Sequence, residues 1–235
     1  MLLSNTPPYK IMSDLAAQYQ MKTDLEHILH NGEMYIGPVA PIDANMWVYD
    51  DETSRIVMKN IEYVPGLYKI YDEFAVNARD QILRIIHSAL LDKKFVSSIK
   101  FHVYEDGTIN MENDGNGIDV AKHPENGLWI PEMVFAHLRT STNYNKDEKK
   151  IVGGKNGFGA KLGFIYSIYG CIETVDHIRG LKYTQEFKNN LSEICLPTIT
   201  KVKSQKPYTK IVFKPDYKRF GMPNGITSDM CALFK

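Results

Sequence analysis

The residues that most suggest chemistry form one glycine-rich stretch, Gly153-Gly154-Lys155-Asn156-Gly157-Phe158-Gly159-Ala160-Lys161. Four glycines in its first seven residues allow positive φ angles and a close approach of the backbone to a ligand. The apolar pattern over 162–169 predicts a helix directly after the stretch, whose first amide groups would point toward it. The stretch therefore favours binding of a polyphosphate, although the same glycines fit a turn that binds nothing. It is not a Walker loop, because Lys161 is followed by Leu162 rather than by Ser or Thr.

A second group of polar residues lies on one stripe of a long predicted helix. Its members are Glu73, Asn77, Asp80 or Gln81, and Arg84. Steps of three or four residues place them on the same helical face. Solvated faces favour pairs of lysine and glutamate, whereas this stripe combines a carboxylate, an amide and a guanidinium, groups that suit a metal ion and phosphate. An ordinary solvated face is the alternative interpretation.

A third candidate is a turn with two glycines that follows a predicted strand. A hairpin that turns at residues 105–108 returns along 109–112 and runs into Asn113-Asp114-Gly115-Asn116-Gly117-Ile118. Glycines directly after a strand again let a ligand approach the backbone. Taken alone, this segment also fits an ordinary turn.

The elements that must position these groups do not alternate regularly between helix and strand. Pro65 opens the longest helical pattern, to about residue 93, and Pro131 opens a shorter one to residue 139. Thr23 and Glu26 have the spacing of a capping box, which predicts a short helix over 23–30. Strands are predicted at 47–49, 55–63, 95–104, 109–112, 171–177, 182–187, 194–203 and 209–214. This order predicts an α+β fold with helices packed on one face of a mixed, mostly antiparallel sheet.

Composition limits the other functions that the chain could have. Its 235 residues include 28 Lys plus Arg and 28 Asp plus Glu, so no global charge draws it to nucleic acid or acidic lipid, although a local patch is not excluded. Three scattered cysteines have no metal spacing and fit a reducing intracellular environment. No apolar run approaches the ~20 residues that span a bilayer. The N-terminus lacks the apolar region of a secretory signal.

Taken in order, the motifs resemble those of the GHKL (Bergerat) ATP-binding fold, which gyrase, sensor histidine kinases, a chaperone family and mismatch-repair ATPases share. The ordered set is Glu73…Asn77, Asn113-x-Gly115-x-Gly117, Gly154-x-x-Gly157-x-Gly159 and Thr209. Within this superfamily the chain resembles the ATPase domain of eukaryotic-type type IIA DNA topoisomerases. The resemblance spans about residues 19–216 and is carried by TDLEHIL (23–29), MYIGPV (34–39), MWVYD (46–50), YVPGLYKIYDE (63–73), STNYNKDEKK (141–150) and GGKNGFGAKL (153–162).

The resemblance implies a two-layer α/β sandwich that uses ATP and Mg²⁺, with Glu73 as general base and Asn77 as the metal ligand. Asn113 replaces the aspartate that most of the superfamily places on the adenine amino group, and its amide oxygen can still accept that hydrogen bond. Thr209 would support adenine from the last strand. The other residues that the resemblance assigns to the nucleotide are Tyr19, Asp80, Gln81, Arg84, Ile118, Val134, Phe135, Ser141, Thr142, Asn143, Lys155, Asn156, Gly157, Phe158, Gly159, Ala160 and Lys161.

Some positions depart from the family pattern. Asp119 stands where the family usually has Pro, Asn116 replaces a Lys, and Gln81 replaces an Asn near the ribose. None of these changes removes the base, the metal ligand or the loop. The family also supplies a γ-phosphate-sensing lysine from a following transducer domain, in a Gln-Thr-Lys loop, and this chain contains no such tripeptide.

The expected organisation is an N-terminal arm over 1–22 and a GHKL ATP-binding domain over 23–235, a fragment without the transducer and DNA-cleavage domains. The resemblance implies an ATP-hydrolysing gate that forms a homodimer through the arm when nucleotide is bound, with Tyr19 reaching the partner's nucleotide. The polar run 140–150 is expected to close as a lid. DNA is the expected partner of the full-length protein, no membrane is expected, and the compartment is the nucleus if the protein is cellular or the host cytoplasm if it is viral.

Two other functions fit the same residues. The chain could bind nucleotide and dimerise with negligible hydrolysis, or it could be a chaperone or mismatch-repair ATPase on the same fold. The segments TDLEHIL and YVPGLYKIYDE argue against the chaperone and repair families, since those relatives lack them.

Overall fold

A computed structural model of the chain describes Tyr19 and residues 21–88, 91–138, 140, 158–203 and 206–235. The predicted lid beyond Thr140, most of the predicted arm and residues 153–157 of the glycine-rich stretch lie outside this part of the chain. Within it, no helix has the length and apolar character that crossing a membrane requires.

The described residues form nine strands and six α-helices, numbered in chain order. The strands are β1 (Ile42–Asp50), β2 (Arg55–Tyr63), β3 (Ile99–Val103), β4 (Ile109–Asp114), β5 (Ser167–Asp176), β6 (Leu181–Lys188), β7 (Glu193–Ile194), β8 (Thr198–Lys201) and β9 (Tyr208–Pro215). The helices are α1 (Asp24–His30), α2 (Gly32–Ile36), α3 (Pro65–His87), α4 (Ile130–Ala136), α5 (Gly159–Ile165) and α6 (Ser228–Phe234), and a 3₁₀ turn covers Tyr217–Phe220.

Seven of the strands form one sheet in the order β3-β4-β9-β5-β6-β7, with β8 also paired to β6. Each of these pairs is antiparallel, while β1 and β2 form a separate antiparallel hairpin. Buried and partly buried residues alternate along β4 and β9, so one face of the sheet packs on the core. The structure thus confirms the predicted α+β class with a mostly antiparallel sheet.

Helix α3 is held between the sheet and α5 by aromatic packing. The Phe74 ring lies 4.6 Å from the Phe213 ring of β9 and 5.5 Å from the Phe164 ring of α5, measured between centroids. A Cβ built on Gly163 would lie 2.2 Å from two atoms of the Phe74 ring, so only glycine allows the two helices this approach. This packing fixes the orientation of α3 and of the polar stripe that it carries.

The short N-terminal helix begins as predicted. Thr23 Oγ1 accepts a hydrogen bond from the Glu26 amide at 3.2 Å, and the Thr23 amide donates to Glu26 Oε2 at 2.8 Å. This reciprocal pair confirms the capping box, because it satisfies two amide groups that the helix leaves without partners.

Several predicted elements differ from the structure in their bounds, and three of these differences have an identifiable physical reason. The long helix ends at His87 rather than near residue 93. The Ser88 hydroxyl, directly after this end, donates to the Ile85 carbonyl at 3.0 Å and so competes with a further helical hydrogen bond. The apolar run 162–169 divides into the end of α5 and the start of β5, because periodicity does not separate a buried helix from a buried strand. The predicted strand 194–203 is interrupted before β8, at Pro197, which has no amide hydrogen for a ladder.

Candidate nucleotide-binding site

Helix α3 carries Glu73 and Asn77 one turn apart. Both residues are partly buried, and Asn77 Nδ2 donates a hydrogen bond of 2.6 Å to the Glu73 carbonyl oxygen. One turn earlier, Lys69 places Nζ 2.6 Å from Glu73 Oε1. The Glu73 carboxylate is therefore held by a cation on its own helix.

Gly159, the first residue of α5, lies directly against Glu73. A Cβ built on Gly159 would lie 1.9 Å from Glu73 Oε2 and 2.8 Å from Glu73 Cδ, so no side chain fits between them. The polar stripe of α3 and the end of the glycine-rich stretch, which are distant in sequence, thus meet in the fold. We call Glu73, Asn77 and Gly159 the helix end of the site.

Lys161 points its ammonium at the segment that precedes the glycine-rich stretch. Its side chain is 2% exposed, and Nζ donates to the Thr140 carbonyl at 3.1 Å. The Thr140 hydroxyl in turn lies within hydrogen-bond distance of the Met133 and His137 carbonyls at the end of α4. Burial lowers the pKa of Lys161 to about 8, so the side chain still carries its charge at neutral pH.

A second group of polar residues lies on the sheet. Asn113 of β4 and Thr209 of β9 are opposite each other in the antiparallel register, and both are buried. The Thr174 hydroxyl of β5 donates to the Tyr208 carbonyl at 3.0 Å and lies 3.3 Å from Thr209 Oγ1. It also accepts a hydrogen bond of 2.9 Å from the Ile118 amide. Two strands, β5 and β9, and the loop after β4 therefore meet at one hydroxyl.

Gly117 closes this group against the backbone of β5. A Cβ built on it would lie 1.9 Å from the Val175 carbonyl oxygen, a clash with main-chain atoms. Asn113 Nδ2 donates to the Asp114 carbonyl at 2.9 Å, which leaves Oδ1 as the end of the amide that can accept from a ligand. We call Asn113, Gly117, Thr174 and Thr209 the sheet end of the site.

Helix α3 connects the two ends. Gln81 lies eight residues after Glu73, about 12 Å along the helix axis. Gln81 Nε2 lies 3.4 Å from the Asn116 carbonyl, while Asn116 Oδ1 accepts from the Lys94 amide at 2.7 Å. The amide at position 116, where the family has a lysine, is thus used to hold the loop after β4 rather than to present a charge.

Asp119, the residue in place of the family's proline, forms an ion pair. Arg179 Nη1 lies 2.9 Å from Asp119 Oδ1 and 2.7 Å from Asp176 Oδ2, and the Val120 amide donates to the same Asp176 oxygen. This cluster ties the loop after β4 to the end of β5.

The remaining predicted site residues range from buried to exposed. Phe135 is in the core, with its ring 5.8 Å from that of Phe164, and Val134 beside it is 36% exposed. Asp80 is buried 3.5 Å from Arg79 Nη1, and Arg84 is exposed. Ile118, Phe158 and Ala160 are partly buried against the core, and Tyr19 is exposed. Ser141, Thr142, Asn143, Lys155, Asn156 and Gly157 lie outside the described residues.

The helix end offers an oxygen ligand of the type that Mg²⁺ prefers, but few such ligands. Asn77 engages its amide nitrogen with Glu73, which leaves the amide oxygen as a hard ligand. Among the described residues there is no cluster of three or more His, Cys, Asp or Glu that could hold a metal ion. The single amide oxygen of Asn77 fits Mg²⁺, which is bound through one or two protein groups together with phosphates and water.

The fold is that of the GHKL ATPase domains. The 43K ATPase domain of Thermus thermophilus gyrase B matches 88% of this chain with a TM-score of 0.60, over 43% of its own length and at 22% identity, which shows the common fold. No family model matches the chain.

Closer relatives define the family. The DNA topoisomerase 2 of Acanthamoeba polyphaga mimivirus is 46% identical over 223 residues, which are 93% of this chain and 17% of that protein. The ATPase region of Saccharomyces cerevisiae topoisomerase II matches 93% of this chain with a TM-score of 0.86 and 42% identity, over 56% of its own length. The chain belongs to the type II DNA topoisomerase family and corresponds to part of its ATPase region. It spans about one sixth of the viral relative's length.

Sequence reasoning missed two residues that the structure brings into the site. Lys69 was hidden because a lysine four residues before a glutamate is common on helix surfaces. Thr174 was hidden because its role depends on pairing between strands that are distant in sequence. Lys69 lies in the segment YVPGLYKIYDE, one turn before Glu73, but nothing in that pattern gave it a role, and no spacing links Thr174 to the other site residues.

Proposed function

We propose that this chain binds ATP with Mg²⁺ and hydrolyses it, as the nucleotide-operated gate of a type II DNA topoisomerase. The observation that carries the proposal is the contact between the Glu73 carboxylate and Gly159, in a chain of this family. It places a potential general base beside the glycine-rich stretch, where a triphosphate would be held.

The helix end would perform the chemistry. Glu73 would accept a proton from the water that attacks the γ-phosphate, and Asn77 would hold Mg²⁺ through its amide oxygen. Bound Mg²⁺ would neutralise charge on the phosphates. Lys161 and the amides at the start of α5 would hold the phosphate chain, together with the predicted contacts at residues 155–157. Arg84 and residues 141–143 are further proposed contacts to phosphate and ribose.

The sheet end would select the base. Asn113 Oδ1 would accept a hydrogen bond from the adenine amino group, and the Thr209 hydroxyl would contact the same ring. Thr174 would hold the Thr209 hydroxyl in place. Ile118 and Val134 would contact the faces of the base, with Phe135 supporting them from the core.

ATP binding would favour a homodimer joined through the N-terminal arm, in which Tyr19 reaches the partner's nucleotide. In a full-length protein this step would control the passage of one DNA duplex through another. Such a protein would work where its DNA is, in the nucleus if it is cellular and in the host cytoplasm if it is viral. The arm over 1–22 and the ATP-binding domain over 23–235 are the proposed units.

The test compares Glu73→Gln with the unmodified chain in the full-length protein. We expect turnover of ATP to fall by ~100-fold or more, because the amide cannot accept the proton, while the Kd of a non-hydrolysable ATP analogue changes little. Glu125→Gln, a change at an exposed glutamate in the loop before α4, is the matched control and should leave both quantities unaltered. Full turnover in Glu73→Gln would remove Glu73 from its role.

Nucleotide binding and dimerisation with negligible turnover is the second candidate. It is favoured by the extent of the match, which covers 56% of the yeast ATPase-region chain, since the rest of that chain could supply groups that turnover needs. Turnover per chain, measured at several protein concentrations, separates the two. An enzyme that requires its dimer shows a rate per chain that rises with concentration, whereas a pure binding module shows no turnover at any concentration.

A further inference from the structure

Lys69 and Glu73 form a close ion pair on α3. Nζ of Lys69 lies 2.6 Å from Glu73 Oε1 and 3.6 Å from Asp72 Oδ2, and the Lys69 side chain is 43% exposed. Exposed pairs of this kind are common on helices and contribute little to stability. The partner of this lysine, however, is the glutamate that lies against the glycine-rich stretch.

Helix stability does not account for the pair. In a pair separated by four residues, the favourable order places the glutamate before the lysine, and here the lysine comes first. The pair therefore has the weaker order for helix stability.

The geometry of the carboxylate supplies a different reason. Oε1 is bound by Lys69, while Oε2 and the carboxyl carbon lie against the α-carbon of Gly159. The ammonium thus occupies one oxygen and leaves the other directed at the glycine-rich stretch. Although burial disfavours its charge, the hydrogen bond to Glu73 and the nearby carboxylates raise the pKa of Lys69, so it remains a cation.

We propose that Lys69 is a positioning residue for the proposed hydrolysis: its ammonium holds Glu73 Oε1 so that Oε2 faces the attacking water. The inference rests on the proposed function, in which Glu73 is the general base. Lys69 itself does not touch the nucleotide, and its contribution is to the orientation of Glu73. The effect of removing it must therefore disappear when Glu73 is no longer a carboxylate.

The experiment uses the full-length protein with Lys69→Met, Lys69→Arg, Glu73→Gln and the double variant Lys69→Met/Glu73→Gln. Methionine keeps the apolar stem and removes the charge, whereas arginine keeps the charge. We expect Lys69→Met to lower kcat by ~10- to 100-fold with KM and the Kd of an ATP analogue little changed. Lys69→Arg should restore most of the turnover. In the Glu73→Gln background, Lys69→Met should have no further effect.

Lys59→Met provides the matched control, because Lys59 also pairs with a carboxylate, Asp50, but on the β1–β2 hairpin. It should leave kcat unchanged. Full turnover in Lys69→Met would overturn the proposal, as would a loss of turnover that persists unchanged in the Glu73→Gln background. A weaker analogue Kd in Lys69→Met would instead make Lys69 a direct ligand of the nucleotide and overturn the positioning role. Normal turnover in Glu73→Gln, by contrast, would end the proposed function itself.

Discussion

Gly159 at the helix end and Gly117 at the sheet end occupy sites where no Cβ fits, yet their neighbours differ in kind. Gly159 faces the terminal atoms of the Glu73 side chain, and Gly117 faces the main-chain carbonyl of Val175, near the end of β5 where that strand pairs with β6. A carboxylate can rotate away from a new methyl group, whereas a strand carbonyl in a ladder cannot. The same substitution should therefore change catalysis at one end and folding at the other.

This difference extends to the polar groups of the two ends. At the helix end, the polar side chains belong to α3, where Asn77 and Lys69 each contact Glu73 from one turn away. The sheet end consists of neutral hydroxyl and amide groups from three strands, buried and bonded to the main chain. We therefore expect that the proposed chemistry at the helix end can be altered with little effect on the core, while the proposed recognition of the base at the sheet end depends on groups that belong to the core.

The largest expected effect on stability is that of Gly117→Ala. Its Cβ would lie 1.9 Å from the Val175 oxygen and 2.6 Å from the Val175 carbonyl carbon, so the loop after β4 must separate from β5. We expect a loss of about 3 kcal/mol and a fall in Tm of roughly 6–12 °C for a domain of this size. Gly127→Ala is the control, because a Cβ built on Gly127 has no neighbour within 4 Å. Its left-handed φ of +70° should make alanine cost only ~1 kcal/mol of unfolding free energy. Equal losses in the two variants would contradict the backbone clash.

Gly159→Ala should show the opposite pattern. The new methyl group must displace the Glu73 carboxylate, which can move, so Tm should stay within a few degrees of that of the unmodified chain. The displaced base should lower kcat by ~100-fold. Thermal unfolding and ATP turnover measured on the same preparation check both halves, and Gly127→Ala should leave kcat unaltered. A large fall in Tm would show that the helix end is no more separable from the fold than the sheet end.

The two ends also differ in how far the sequence predicts them. The helix end can be predicted from the sequence because Glu73 and Asn77 lie at helical spacing and the four glycines of residues 153–159 form a recognisable motif. Their meeting through Gly159 and the residue that holds Glu73 depend on the packing of α3 on α5, which no local pattern encodes. The α+β class followed from element order, and the capping box at Thr23 from two residues.

The residues of the sheet end are much harder to predict from the sequence. Asn113 stood out only through its neighbouring glycines, and Thr209 only through the family resemblance. Their contact depends on β9, the last strand, entering the middle of the sheet between β4 and β5. Hairpin reasoning would place it beside β8 instead. Thr174 then becomes important because β5 is the other neighbour of β9, a relation that is set by topology and not by sequence spacing.

Thr174→Val tests whether stability and recognition are coupled at the sheet end. The hydroxyl accepts from the Ile118 amide and donates to the Tyr208 carbonyl, so valine leaves both without this partner in a fully buried place. We expect a loss of about 2 kcal/mol in urea unfolding together with weaker binding of an ATP analogue. Thr200→Val, at an exposed threonine on β8, should change neither quantity. Unchanged affinity despite the loss of stability would separate Thr174 from the binding of the base.

The smallest expected effect concerns the ion cluster at the edge of the sheet end. Although burial disfavours its charge, Asp176 accepts hydrogen bonds from the Arg179 side chain and from the Val120 and Arg179 amides, and its pKa lies below the ordinary value. A carboxyl group whose folded pKa is depressed stabilises the fold above its unfolded pKa of about 4, and this contribution is lost as the pH falls through the folded pKa. The stabilisation that Arg179 gives through Asp176 should therefore be present at neutral pH and decrease at acidic pH.

Arg179→Met should lower the unfolding free energy by about 1 kcal/mol at pH 7, since the guanidinium is partly solvated. The difference from the unmodified chain should shrink as the pH is lowered below about 4, because protonated Asp176 gains nothing from a nearby cation. Lys188→Met, which removes a solvated partner of Glu186 on β6, should have a smaller and less pH-dependent effect. If Arg179→Met left turnover intact, the ion cluster of Asp119, Asp176 and Arg179 would contribute to stability and not to turnover. A loss of turnover at constant stability would contradict the assignment of chemistry to the helix end.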